Sequence, residues 1–171
     1  MARKTQQVET RLVAEYVKTN YSKFPAITNQ PLGVVSAELM AEIGYSKAIS
    51  MSRPNRPEVD AIVLLPRYFL LIEGKVWHIV DGMAKLPFYA SLIPVTPELK
   101  EYQPREVIME LVVPWTNLNL EIMCREHNIQ LRVYKPDWIS DVVNRVTEYS
   151  TREYRLAREE KLRNRELLGL E

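Results

Sequence analysis

Two apolar arms meet at Pro66-Arg67, and each carries its charge at the end away from that corner. One arm reads Val59-Asp60-Ala61-Ile62-Val63-Leu64-Leu65, and the other Tyr68-Phe69-Leu70-Leu71-Ile72-Glu73-Gly74-Lys75-Val76-Trp77. β-Branched, aromatic and aliphatic residues dominate both arms, which favours paired strands, and the proline marks the break between them. With Pro66-Arg67 at the centre of the turn, position 60 lies opposite position 73, and opposed side chains stand about 5 Å apart at Cβ. Glu73 and Lys75 are two apart and share one face of their strand. Two carboxylates and an ammonium therefore converge at the end of an apolar hairpin. Such a group is costly to bury unless a divalent cation or a phosphate uses it.

The 171 residues are most simply one domain, long enough to close a core. Lysine plus arginine (23) nearly balances aspartate plus glutamate (22), for a formal net charge of +1. No global basic field advertises a polyanion, although a local basic groove stays open. The single cysteine, Cys124, excludes an intramolecular disulfide and suits a reducing compartment. The N-terminus leads into an amphipathic segment rather than an apolar leader, and no apolar run approaches membrane-spanning length. A cytoplasmic protein without membrane contact is expected.

Along the chain, Gln6 to Tyr21 sets Val8, Leu12, Val13, Tyr16 and Val17 on one stripe at helical spacing. Glu9 falls near the middle of that stripe and Glu15 on its edge; an inward carboxylate there is unusual. Leu32-Gly33-Val34-Val35 reads as a first strand, Ala37 to Ile43 as a short helix ended by Gly44, and Ser50 to Pro57 as a polar loop. After the hairpin, Asp81 is expected to cap a helix carrying Met83, Leu86, Tyr89 and Ile93, with Pro87 near its first turn. Glu106 to Val113 reads as a strand. Thr116 or Asn117 caps the next helix, and Ile129 to Tyr134 alternates as a further strand. From about Trp138 the chain reads as one long helix, densely charged in both signs.

Helix with an inward glutamate, strand, Asp60-led strand, Glu73-x-Lys75 strand, helix, strand, helix, strand: this order resembles the PD-(D/E)XK nuclease superfamily. The match runs from about Gln6 to Tyr134. It implies an α/β, restriction-endonuclease-like mixed central sheet flanked by helices over residues 1–137, with a long C-terminal helix over 138–171. Asp60 stands where the family has its metal-binding aspartate, and Glu73 and Lys75 stand where the signature stands. Glu9 takes the place of the acidic residue on the first helix, with Glu15 as the fallback. Lys85 and Tyr89 resemble the polar position and the tyrosine that some members set beside the substrate. The chain departs from the pattern in three ways: Pro57 is not adjacent to Asp60, Gly74 stands where a bulky strand residue is usual, and Lys85 replaces a frequent glutamine.

The resemblance implies a metal-dependent nuclease that hydrolyses DNA phosphodiester bonds, with Asp60, Glu73 and Lys75 as catalytic residues. Asp60, Glu73 and the Gly74 carbonyl would hold Mg²⁺ (or Mn²⁺) through hard oxygen ligands, and Glu9 would complete the shell. Lys75 would orient the attacking water and counter the phosphate charge. Metal-free, the opposed Asp60 and Glu73 should raise each other's pKa. Arg53 and Arg56 could touch phosphate from their polar loop, although a solvated loop explains them equally well. Fold does not imply function. The second expectation is a non-catalytic assembly protein, such as a phage head-completion or neck (head-tail connector) protein, and hence a virion component. The C-terminal helix mixes both signs at helical spacing, which suits an exposed, salt-bridged surface better than a nucleic-acid arm. A homo-oligomer or larger assembly formed through that helix is expected.

Overall fold

The computed structural model describes residues 2–103 and 105–167. The hairpin is the centre of the molecule. β2 (Glu58–Leu64) and β3 (Tyr68–Gly74) run antiparallel, pairing Ala61 with Ile72, Ile62 with Leu71, Val63 with Leu70 and Leu64 with Phe69. Each pair is centred on Pro66-Arg67, as the corner demanded, and the pairing ends at Ala61 and Ile72, one residue short of Asp60 and Glu73.

β1 (Ala26–Pro31) pairs antiparallel with the outer edge of β2. The strand expected at Leu32 to Val35 is therefore displaced upstream. Gly33 turns the chain there in a left-handed conformation (φ 99°), and the apolar Val34 is exposed. β1 itself is polar and mostly exposed, because an edge strand needs backbone pairing more than buried side chains. On the other side of the hairpin, β4 (Glu106–Val113) runs parallel to β3, and β5 (Ile129–Val133) parallel to β4. The result is a five-stranded mixed sheet in the order β1-β2-β3-β4-β5.

Parallel neighbours require a crossover. α4 (Ile79–Leu92) supplies it between β3 and β4, and α5 (Leu118–Glu126) between β4 and β5. α4 starts at Ile79, after a left-handed His78 rather than at an Asp81 cap, so Pro87 lies in its interior. Asn117 caps α5 by accepting the Leu120 N–H. Helices flank the sheet. α1 (Ala2–Tyr21) buries Leu12, Val13, Tyr16 and Val17, while α4 buries Met83, Leu86 and Tyr89 on a core shared with Ile62, Phe69 and Leu111.

Between β1 and β2 lie α2 (Ala37–Ile43), α3 (Tyr45–Ser52) and a 3-10 turn at Arg53–Asn55. Where a loop was expected from Ser50, the helix therefore continues to Ser52 and Pro54 sits within the 3-10 turn, where it needs no donor of its own. The chain divides after Tyr134, and the second unit consists of α6 (Asp137–Leu167). Among the described residues, no helix is long and apolar enough to cross a membrane.

Candidate active site

Alternation along β3 sets Glu73 and Lys75 on one side of the strand and Gly74 on the other. Gly74 lies under α1: a Cβ there would run into the Val13 side chain and come within 3.4 Å of the Glu9 carbonyl. Glycine at this place lets α1 approach the sheet closely, and that approach delivers Glu9 to the strand end. Glu9 Oε2 then accepts from Lys75 Nζ and its Oε1 from the Val76 N–H, both at 3.1 Å. Glu15 pairs instead with Arg11 at 2.9 Å on the outer side of the helix. Glu9, not Glu15, is the helix carboxylate at the cluster.

The Lys75 backbone is anchored by donating its N–H to the Val112 carbonyl at 2.9 Å, which carries the β3–β4 ladder one residue past β3. Its side chain crosses α4 at Gly82, where a Cβ would collide with the lysine stem. Lys75 Nζ then lies 3.2 Å from Glu73 Oε1, and Lys85 Nζ reaches the same oxygen at 3.7 Å. On the neighbouring strand, Asp60 Oδ2 accepts the Gly74 N–H at 2.9 Å. Glu73 is 2% exposed, and its second oxygen, Oε2, is buried with no hydrogen-bond partner.

Burial and opposition act on these groups as expected. Burial, followed by the Asp60 charge, pushes the Glu73 carboxyl up to about 7, against the pull of Lys75 and Lys85. Burial also raises Asp60, opposed by the Gly74 amide. For Lys75, burial works to lower the pKa, but the charges of Glu73, Glu9 and Asp60 outweigh it and the net shift is upward. Tyr89 is pushed up to about 12 by burial and then by the Glu73 and Asp60 charges, which places its hydroxyl within their field. Lys85 and Tyr89 are four apart and share a face of α4. Lys85 stays 47% exposed while it reaches Glu73.

Arg56 is a correction. It is buried, and its two terminal nitrogens hold the Glu98 carboxylate at 2.7 and 2.8 Å. It also donates to the Pro31 and Leu32 carbonyls. Its guanidinium is spent on joining the segment before β2 to the segment after β1, so it is not available to a substrate. Arg53 is exposed and pairs with Glu58 at 2.8 Å.

Sequence reasoning missed a second buried acid. Glu110 reads as one residue of an apolar strand, yet it is 0% exposed and saturated with donors. Tyr16 Oη donates at 2.9 Å, Tyr21 Oη at 3.2 and 3.3 Å to the two oxygens, and Arg132 Nε at 2.9 Å. The only signal was a lone glutamate inside Val-Ile-Met-Glu-Leu-Val-Val. The network ties α1, which carries Glu9, to β4 and β5.

Among the described residues no three His, Cys, Asp or Glu side chains gather as a ready-made metal cage. The donor set is smaller: the Asp60 and Glu73 carboxylates, with one orphaned carboxylate oxygen on Glu73. That set fits Mg²⁺, which keeps several waters and is commonly bound by one or two carboxylates together with substrate phosphate.

No protein-family model and no characterised protein sequence matches the chain. Among solved structures, it is similar to a repair endonuclease from Pyrococcus abyssi at 15% identity and a TM-score of 0.45, over 74% of this chain. The chain spans 46% of that protein's length.

Proposed function

We propose that this protein is a metal-dependent nuclease that hydrolyses DNA phosphodiester bonds at the Asp60–Glu73 pair. The observation that carries the reading is the orphaned Glu73 Oε2, buried opposite a second carboxylate. A buried carboxylate oxygen without a donor is costly unless a proton or a cation meets it. DNA as the substrate follows from the resemblance of the Asp60 and Glu73-x-Lys75 arrangement to the nuclease signature.

Asp60, Glu73 and the Gly74 carbonyl would hold Mg²⁺ or Mn²⁺. The bound ion supplies Lewis acidity at the phosphoryl oxygens and a more acidic water. Lys75, with its pKa raised, stays charged at neutral pH. It therefore serves as a hydrogen-bond donor that orients the incoming water and offsets phosphate charge, not as a base. Glu9 holds that ammonium in place, a positioning role that uses both of its oxygens and leaves it less suited to completing the metal shell. Lys85, half exposed beside Glu73, offers a second cation to the departing oxygen. Gly74, standing where the resembled family usually has a bulky strand residue, weighs toward the second reading, a non-catalytic virion assembly protein. The close approach of α1 accounts for that glycine without the loss of a catalytic group.

The test is cleavage of double- and single-stranded DNA by purified protein with Mg²⁺ or Mn²⁺. Asp60→Asn and Lys75→Ala, shown by circular dichroism to be folded, should each lose at least about a hundredfold in rate, the scale of a lost charge-stabilising group. Metal titration by calorimetry should show heat for wild type and none for Asp60→Asn. Wild-type protein inert with both ions on every DNA form would sink the reading and favour the assembly protein.

A further inference from the structure

α1, which carries Glu9, walls an open groove of about 640 Å³ together with β1, the 3-10 turn and the start of β2. Gln7, Thr10 and Arg11 of α1 form one side, and Asn29, Arg53 and Glu58 the other. Thr10 follows Glu9 on the helix, and Glu58 is two positions ahead of Asp60 on β2, so the groove starts beside the candidate active site.

Its lining selects the ligand. Side-chain amides, a hydroxyl and two guanidiniums suit sugar and phosphate oxygens, Glu58 is the carboxylate beside them, and Ala14 is the one apolar side chain among the described residues of the wall. Among the described residues no aromatic lines it, so they offer no platform for stacking bases. Both arginines are half exposed and held in exposed ion pairs, Arg11 with Glu15 at 2.9 Å and Arg53 with Glu58 at 2.8 Å. Exposed pairs of this kind contribute little, so exchanging a carboxylate for a phosphate is cheap, and a guanidinium can meet phosphate with two parallel bonds. A chain with a net charge of only +1 has no broad field to attract a polyanion, so any grip must be local.

We propose that this groove holds the phosphodiester backbone of a DNA strand leading to the Asp60–Glu73 pair, with Arg11 and Arg53 on its phosphates. The proposal rests on the nuclease reading, and binding without turnover separates the two. Anisotropy of a short labelled oligonucleotide should be measured in EDTA across a salt series. The Arg11→Ala/Arg53→Ala double variant should bind about tenfold or more weakly, and the slope of log Kd against log salt should fall by about 1.5, as expected for two lost phosphate contacts. Arg11→Lys/Arg53→Lys should keep most of the slope. Glu58→Gln, which frees Arg53 from its carboxylate, should tighten binding several-fold, a gain that misfolding cannot mimic.

Affinity and slope indifferent to all three variants would overturn the groove, as would wild-type protein that does not bind. Polyglutamate competing as well as unlabelled DNA would assign the groove to an acidic protein and overturn it too. Arginine-dependent binding without cleavage in Mg²⁺ would leave the groove standing and sink the nuclease. Cleavage with arginine-independent binding would do the reverse.

Discussion

Glu73 on β3 and Glu110 on β4 lie on adjacent strands one step out of register, Glu73 beside Leu111 and Glu110 beside Ile72, and both side chains are sealed from solvent. Around Glu110, two tyrosine hydroxyls and an arginine occupy the carboxylate, each within hydrogen-bonding distance. Around Glu73, two lysines crowd one oxygen, the other has no partner, and a second carboxylate faces the group. The first arrangement is closed and holds α1 on the sheet. The second is incomplete, with one carboxylate oxygen left without a partner. Burial alone does not set the two acids apart; unmet hydrogen-bonding valence does, and it is what makes Glu73 the candidate.

The contrast can be broken most sharply at Arg132. Arg132→Met leaves Glu110 buried with only neutral donors, and removing one partner of a buried pair costs on the order of 3 kcal/mol. Arg132 is itself 50% exposed, which keeps the effect at the lower end. Urea unfolding measures it, and a loss under about half a kcal/mol would show that Glu110 does not depend on its ion pair.

Glu73 should behave in the opposite sense. Its folded pKa of about 7 stands above the ordinary 4.5, so the folded protein binds that proton more tightly than the unfolded chain. The contribution of Glu73 to metal-free stability is therefore highest below pH 4.5, falls as pH rises to about 7, and is lowest beyond it. Glu73→Gln should flatten this slope and stabilise the metal-free protein by about 2 kcal/mol above neutrality, with little gain in acid. Mg²⁺ should stabilise wild type there and not the variant. Parallel stability–pH curves for the two proteins would remove the distinction between the two acids.

The smallest effect sharpens the comparison. Tyr21→Phe removes one donor from a carboxylate that retains Tyr16 and Arg132, at a cost of about 1 kcal/mol. A larger loss than that of Arg132→Met, read from the same urea curves, would make the hydroxyls and not the ion pair the holding element.

What could be read from the chain divides along the same line. The hairpin register was legible because Pro66 interrupts two apolar runs and strand periodicity does the rest. Asp60, Glu73 and Lys75 could be placed together from that register alone. Arg56 was misassigned because its partner, Glu98, lies 42 positions away and nothing local announces it. β1 was misplaced because an exposed edge strand has no apolar signature, whereas Leu32 to Val35 has one without being a strand. The Glu110 network escaped notice because its tyrosines stand 94 and 89 positions off. Local pattern reports pairing across a tight turn; it is silent on polar partners brought in from distant elements.

The bond from Lys75 to Glu9 spans 66 positions. A nascent hairpin can form its two-carboxylate end by itself, but its lysine gains a seat only after the opening helix has swung back over Gly74. Any hydrolytic competence would therefore depend on that docking, with chains lacking it chemically silent.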